Sequence, residues 1–334
     1  MNITRVGGYM KKVSIIIPIY NGEKYIVSCL KNILNVDSNL IEIIIINDGS
    51  TDCTQKICND ICKKDKRVNI INIKNSGVSN ARNIGIKKST GQWLMFVDCD
   101  DVLEKNWFEV ISKWFDSDKD LIAFSSKNIT NNNKEEILDY IFNFKSGTYM
   151  SSPCSKLYRK EIIMKNNFWF ESGIINGEDM LFNANYILCN CNYYIENISI
   201  YLYRQVIGSC TKKFDKKIFE SDMKFQHSLE KLEKKYSYSL EKYIKYSKMN
   251  AIFMFVNRLS YASRREINKY KYILNDYSKN IGFKEILLIT NKNKKIVILF
   301  IKMKLKKIII FLLKFKNKIN LLHKSRKKEI FINI

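Results

Sequence analysis

Asp98 and Asp100 stand two residues apart, directly after the apolar run Trp93–Val97. Two carboxylates at that spacing can project toward one point if the chain turns there. Their hard oxygens suit Mg2+ or Mn2+. A divalent ion so held can bridge a diphosphate and neutralise its charge as it leaves. A solvated turn with helix-capping Asp would read the same way, so the pair alone decides little. Asp48, in the stretch INDGSTD, can accept from a nucleobase or a ribose hydroxyl. Thr51 or Asp52 suffices to cap the following helix, which leaves Asp48 free. Asn75, Ser76 and Gly77 enter a helix that carries Arg82, where backbone N–H groups and a guanidinium suit an anionic phosphate. A plain cap with Arg82 on the surface fits that stretch equally. Glu178 and Asp179 open another helix after Gly177, either complementing the helix dipole or supplying a general base. The only His are His227 and His323, so acid–base chemistry falls to carboxylates.

These groups act together only if one scaffold gathers them. Val13–Ile19, Ile41–Ile46, Val68–Ile73, Trp93–Val97 and Leu121–Ser125 read as short buried strands. Between them Glu23–Leu34, Thr51–Cys62, Val78–Lys88 and Trp107–Phe115 read as helices. That alternation predicts an α/β fold with a mostly parallel sheet flanked by helices. Ligands of such sheets bind beyond the carboxyl ends of the strands. Pro18, Tyr20 and Asn21, then Asp48, then Asp98–Asp101, stand at those ends. Further on, the pattern predicts a polar loop over Asn128–Lys134, a helix over Ser155–Lys165, a helix from Gly177 and a strand over Tyr194–Tyr203. Phe214 to Gly282 reads as helical.

Lys and Arg number 57 against 33 Asp and Glu, a net charge of +24. Fifteen of the basic residues fall in 284–334, against Glu285 and Glu329 alone. The apolar runs there, Ile296–Ile301 and Ile308–Leu313, are too short to span a bilayer, which takes about 20 residues. A basic apolar helix lying on an anionic membrane face fits; so does a packed helix whose Lys side chains snorkel. The excess of charge also raises nucleic-acid binding as a rival, but no helix-turn-helix, zinc-finger or RRM signature accompanies it. The first strand is not followed by GxGxxG, and no P-loop occurs, which excludes the common dinucleotide and NTP folds. Nine Cys without a CxxC pair point to a reducing, cytoplasmic setting rather than a disulfide or zinc framework.

Six segments in order, VSIIIPIYNGEKYI (13–26), IIIINDGSTD (43–52), NSGVSNARNIGI (75–86), GQWLMFVDCDD (91–101), SKLYRKEII (155–163) and GEDMLF (177–182), resemble the inverting glycosyltransferases of family 2. That resemblance covers about residues 13–210 and implies a GT-A (Rossmann-like) fold followed by a C-terminal helical region. Residues 1–12 read as a short leader, and the resemblance implies a nucleotide-sugar half over 13–125 and an acceptor half over 126–210. A helical module over 211–283 and a membrane-associating tail over 284–334 would complete the chain. The resemblance implies that Pro18, Tyr20, Asn21, Asp48, Asn75, Gly77 and Arg82 line the nucleotide pocket. Asp98 would face the ribose or diphosphate, and Asp100, with Asp98, would hold Mn2+ or Mg2+. Asp179 would be the catalytic base with Glu178 beside it. Tyr203, Arg204 and the stretch around Gly208 would close over the diphosphate. The implied reaction moves a sugar, in one inverting displacement, from a nucleotide-sugar such as a UDP-sugar to a hydroxyl of a glycan or lipid-linked glycan. Capsule, O-antigen or lipooligosaccharide synthesis on the inner membrane face is the setting this suggests. A transferase acting on polyprenyl phosphate shares the same core and is the alternative.

Overall fold

The computed structural model describes residues 12–129, 133–142, 145, 148, 150–204, 216–259, 265 and 331–333. These divide into two compact units. The first takes in the described residues of Met1–Ser172, Gly177–Gln205 and Ile330–Ile334; the second takes in those of Gly173–Asn176 and Val206–Glu329.

The first unit opens as its apolar runs dictate: β1 (Val13–Ile19), α1 (Ile26–Leu34), β2 (Ile41–Asp48), α2 (Thr54–Lys64), β3 (Val68–Ile73), α3 (Val78–Lys88) and β4 (Trp93–Phe96). β1 and β2 are buried along their whole length, as strands covered on both faces must be. There follow β5 (Val102–Leu103), α4 (Trp107–Ser112), β6 (Leu121–Phe124), α5 (Lys134–Ile141), β7 (Lys156–Arg159), α6 (Lys160–Asn166), α7 (Glu178–Leu188), β8 (Tyr193–Glu196) and β9 (Tyr201–Arg204). The seven-stranded sheet runs β3-β2-β1-β4-β7-β6-β8. Every pairing in it is parallel except those of β7, which runs antiparallel to β4 and β6.

Two local features shape the site end of this sheet. The β1–β4 ladder ends at Ile16↔Phe96, so Pro18, which has no N–H to give, lies beyond it. α3 packs very close to β1: a Cβ on Gly85 would stand 2.3 Å from Ile16 Cγ2. This close seat sets the height of α3 and with it the place of Arg82, one turn earlier.

The second unit contains α8 (Lys216–Tyr236) and α9 (Glu241–Leu259), within the stretch expected to be helical. β10 (Phe331–Asn333) returns to the first unit and pairs antiparallel with β9, which pairs in turn with β5 in a small sheet. No helix among the described residues is long and apolar enough to cross a membrane.

Several expectations are corrected. Ser155–Lys165 is not one helix: Lys156–Arg159 is a strand and the helix begins at Lys160. The segment's helical spacing yields to the ladders that β4 and β6 offer on its two sides. Tyr194–Tyr203 is two strands in two different sheets. The polar loop expected over Asn128–Lys134 gives way to α5 at Lys134, capped by Asn133 Oδ1, which accepts from Glu136 N–H at 3.0 Å. Lys12, assigned to the leader, already joins the sheet's margin through Lys12 N–H to Leu40 O at 2.8 Å. Residues 1–11, the stretch around Gly208 and the tail over 284–330 lie outside the described residues.

Candidate active site

The carboxyl ends of β1 and β2 are stitched to each other. Asn21, at φ 51°, accepts through Oδ1 from Thr51 N–H at 2.8 Å, and its own N–H donates to Ser50 Oγ at 3.0 Å. Tyr20 between them is 52% exposed, a free aromatic face at the strand end. The N-cap of α2 is Cys53, without a side-chain cap bond, and Asp52 Oδ1 accepts instead from the N–H of Thr54, the helix's first residue, at 3.0 Å.

Asp48 is not free. Its Oδ1 accepts from Ser76 N–H at 2.8 Å and from Ser76 Oγ at 3.3 Å, and its Oδ2 accepts from Gly77 N–H at 2.9 Å. Asn75 Nδ2 donates to the Asp48 carbonyl at 3.0 Å. The carboxylate therefore braces the loop ahead of α3. The fit needs the left-handed region at Gly77 (φ 90°) and at Gly49 (φ 72°), where a Cβ would stand 2.8 Å from Asn75 N. A carboxylate offers about four acceptor positions, so these three bonds leave Asp48 about one for a further donor.

Asp98–Asp101 form a turn closed by Asp101 N–H to Asp98 O at 3.1 Å. The turn carries both Asp98 and Asp100 beyond the end of β4. Burial, then the charge of Asp98, raises the pKa of Asp100. Asp101 is buried, with Oδ2 accepting from Tyr201 Oη at 2.9 Å and Oδ1 from Arg204 N–H at 2.9 Å.

Arg82 is the largest departure from expectation. It is buried, and its guanidinium meets carboxylates rather than an open phosphate cradle. Nη1 donates to Asp179 Oδ1 at 2.6 Å and Nη2 to Asp98 Oδ1 at 3.0 Å, while Glu178 Oε1 lies 3.9 Å from Nη1. The Phe170 ring stands 5.2 Å beneath the guanidinium. Side-chain exposure is 4% for Arg82 against 30% for Asp98 and 26% for Asp179, so the cation is sealed while both acids still reach outward. Burial raises the pKa of Asp179, and Arg82 opposes that rise. Glu178 is raised by burial and then by Asp179.

Arg204 lies on β9 with Nη2 donating to Ser28 Oγ at 2.9 Å and its guanidinium over the Tyr25 ring. Among the described residues no group of three or more His, Cys, Asp and Glu could hold a metal ion. Asp98 and Asp100 nonetheless put two carboxylates on one turn, and burial with the charge of Asp98 disfavours an ionised Asp100, which a bound cation would favour. Such a pair fits an ion completed by phosphate and water, the usual setting of Mg2+.

Sequence reasoning missed Lys156, Asn183 and Tyr201, and it linked Tyr203 only to closure over the diphosphate. Lys156 is 2% exposed, with Nζ donating to Ser152 O at 2.5 Å; reading its segment as helix hid its inward place. A buried Lys in a strand needs a partner, and that requirement was the available signal.

Residues 14–174 match the family described as Glycosyl transferase family 2. EpsH of Bacillus subtilis is 27% identical over 229 residues, 63% of this chain and 66% of its own length. EpsJ of the same organism is 28% identical over 216 residues, 60% of this chain and 63% of its own. Both carry glycosyltransferase names, and this chain spans slightly less than two thirds of each. Residues 1–349 of Staphylococcus aureus TarS superpose with a TM-score of 0.58 at 19% identity, covering 92% of both chains. That likeness shows a shared GT-A fold.

Proposed function

We propose, on the match of residues 14–174 to glycosyl transferase family 2, that this chain is an inverting, metal-assisted transferase. It moves a sugar from a nucleotide-sugar to a hydroxyl of a glycan or lipid-linked glycan in bacterial surface-polysaccharide synthesis. The observation that carries the reading is Arg82, which bonds Asp98 on one side and Asp179 on the other. One guanidinium thus ties the leaving-group side to the base side at a fixed spacing, as a single in-line displacement needs.

Asp179 takes the proton of the acceptor hydroxyl. Arg82 keeps it ionised against the cost of burial, so it can act as a base near neutral pH. The acceptor oxygen then attacks the anomeric carbon, the bond to the diphosphate breaks, and an α-linked donor gives a β-linkage. Asp100 and Asp98 would hold Mn2+ or Mg2+, which when bound supplies charge neutralisation of the departing diphosphate. Tyr20, beside Pro18 and Asn21, offers an aromatic face for the base. The Gly77 loop, braced by Asp48, offers exposed backbone near it. A base at Asp179 favours a hydroxyl acceptor, since a polyprenyl phosphate is already ionised.

UDP is the first nucleotide to try, because TarS has been solved with UDP-GlcNAc and with UDP. The test is a screen of nucleotide-sugars with Mn2+, with and without EDTA, detecting released nucleoside diphosphate. Chelator-sensitive release from one donor, and a β-anomeric product by proton NMR, supports the reading. Failure of UDP, GDP and CDP all to bind with Mn2+ present would overturn it. The basic stretch 284–334 is proposed to hold the enzyme on an anionic membrane face, near a lipid-linked acceptor.

A further inference from the structure

β9 touches both halves of the site through alternate residues. Tyr201 is fully buried. Its hydroxyl accepts from Asp98 N–H at 3.0 Å and donates to Asp101 Oδ2 at 2.9 Å. Arg204 N–H closes the other Asp101 oxygen at 2.9 Å, and Val102 and Leu103 pair with Leu202 and Tyr201. The turn is therefore gripped at its first and last residues by one strand. These bonds occupy no carboxylate oxygen of Asp98 or Asp100.

Tyr203 lies two residues on, on the same face of the strand, with its ring centroid 5.0 Å from that of Tyr201. Its hydroxyl donates to Ser152 Oγ. The Ser152 carbonyl accepts from Asn183 Nδ2 at 3.1 Å, and the Ser151 carbonyl accepts from the same amide at 2.9 Å. Asn183 Oδ1 accepts from Tyr158 Oη at 2.6 Å. Asn183 is on α7, one turn after Asp179, so the amide fixes the helix that presents the base.

We propose that Tyr201 and Tyr203 are positioning residues with separate tasks: Tyr201 sets the Asp98–Asp101 turn, and Tyr203 sets α7. This rests on the reading that the turn holds the donor and that Asp179 is the base. Loosening the turn weakens donor binding in ground and transition states alike, which raises KM. Misplacing the base affects the transition state alone, which lowers kcat.

The full chain carrying Tyr201→Phe or Tyr203→Phe is compared with wild type. Losing hydrogen bonds to a charged or buried partner should move a constant by about tenfold. Y201F is expected to raise the donor KM by about that factor with kcat within about threefold. Y203F is expected to lower kcat by about that factor with KM within about threefold. Both variants moving the same constant, or neither moving any, overturns the proposal. Hydrogen exchange across residues 97–103 separates this from the functional reading. The Asp98 amide should be protected in the free wild-type protein and lose that protection in Y201F but not in Y203F. A rapidly exchanging wild-type amide, or equal protection in Y201F, overturns the proposal even if no donor is turned over. Should Y201F fail to fold, wild-type exchange and the Y203F constants decide it.

Discussion

Arg82 Nη1 stands 2.6 Å from Asp179 Oδ1, across 97 residues of sequence. The other terminal nitrogen holds Asp98 at 3.0 Å, so one sealed cation bridges two acidic clusters. Replacing it with Met should strand those carboxylates. Breaking a buried pair costs about 3–5 kcal/mol, and the lower end applies here because Asp98 and Asp179 are partly exposed. Arg82→Lys should rescue only part of this, since one ammonium cannot reproduce the two-pronged geometry. Urea denaturation checks it; an R82M protein as stable as wild type would show that the guanidinium is not a structural tie.

Asp179 and Glu178 should separate cleanly on mutation. Asp179→Asn should lower turnover by roughly 10²–10⁴-fold while donor affinity holds, as for loss of a general base. Glu178→Gln should cost far less. The base works ionised, and burial sets its folded pKa above the ordinary carboxylate value of about 4. As pH falls through that raised pKa the base gains its proton and kcat/KM declines. The acid limb should therefore lie higher than for an exposed Asp. Arg82→Lys, with a poorer fit to Asp179, should move it higher still. Near-normal turnover in D179N with a dead E178Q would reverse the assignment.

The parallel half of the sheet was legible because β1 and β2 are short, near-continuous β-branched apolar runs alternating with helical segments, the pattern of strands buried on both faces. The acids at the strand ends were legible for the same reason: topology puts them there. What was not legible depended on partners distant in sequence. Lys156–Arg159 is a strand because β4 and β6 flank it, and nothing local in SKLYRKEII says so. Arg82 was read as facing a phosphate because local sequence does not reveal that Asp98 and Asp179 surround it. Asp48 was taken as spare because Thr51 or Asp52 suffices by sequence as a cap for α2, yet it braces Ser76 and Gly77, a loop that follows a different strand.

Asp100 should matter more than Asp98 to metal binding. Asp98 already shares an oxygen with Arg82, whereas Asp100 is held in a raised state by burial and by the charge beside it. Mn2+ titration by electron paramagnetic resonance, with UDP present, should show Asp100→Asn weaker by at least about tenfold, the loss of one hard ligand. Asp98→Asn should lose less metal affinity but also loosen Arg82, and so reduce stability. Wild-type Mn2+ affinity in D100N would remove Asp100 from the metal site.

The basic tail needs a test that spares the fold. Deleting 284–334 would also remove Phe331–Asn333, which pairs with β9 beside Arg204. Charge neutralisation avoids that. Lys302, Lys304, Lys306 and Lys307, all changed to Gln, take four positive charges from between the two apolar runs of the stretch. Each basic residue near an anionic surface contributes about 1 kcal/mol, so binding to phosphatidylglycerol vesicles should fall by at least about 100-fold. Rising salt should weaken the wild-type protein in the same direction, because the attraction is screened beyond a Debye length. Donor hydrolysis should be unchanged if the stretch serves attachment alone. Unaltered vesicle sedimentation by the quadruple variant would refute membrane attachment through this stretch; a parallel loss of binding to DNA but not to vesicles would instead favour a nucleic-acid role for the charge.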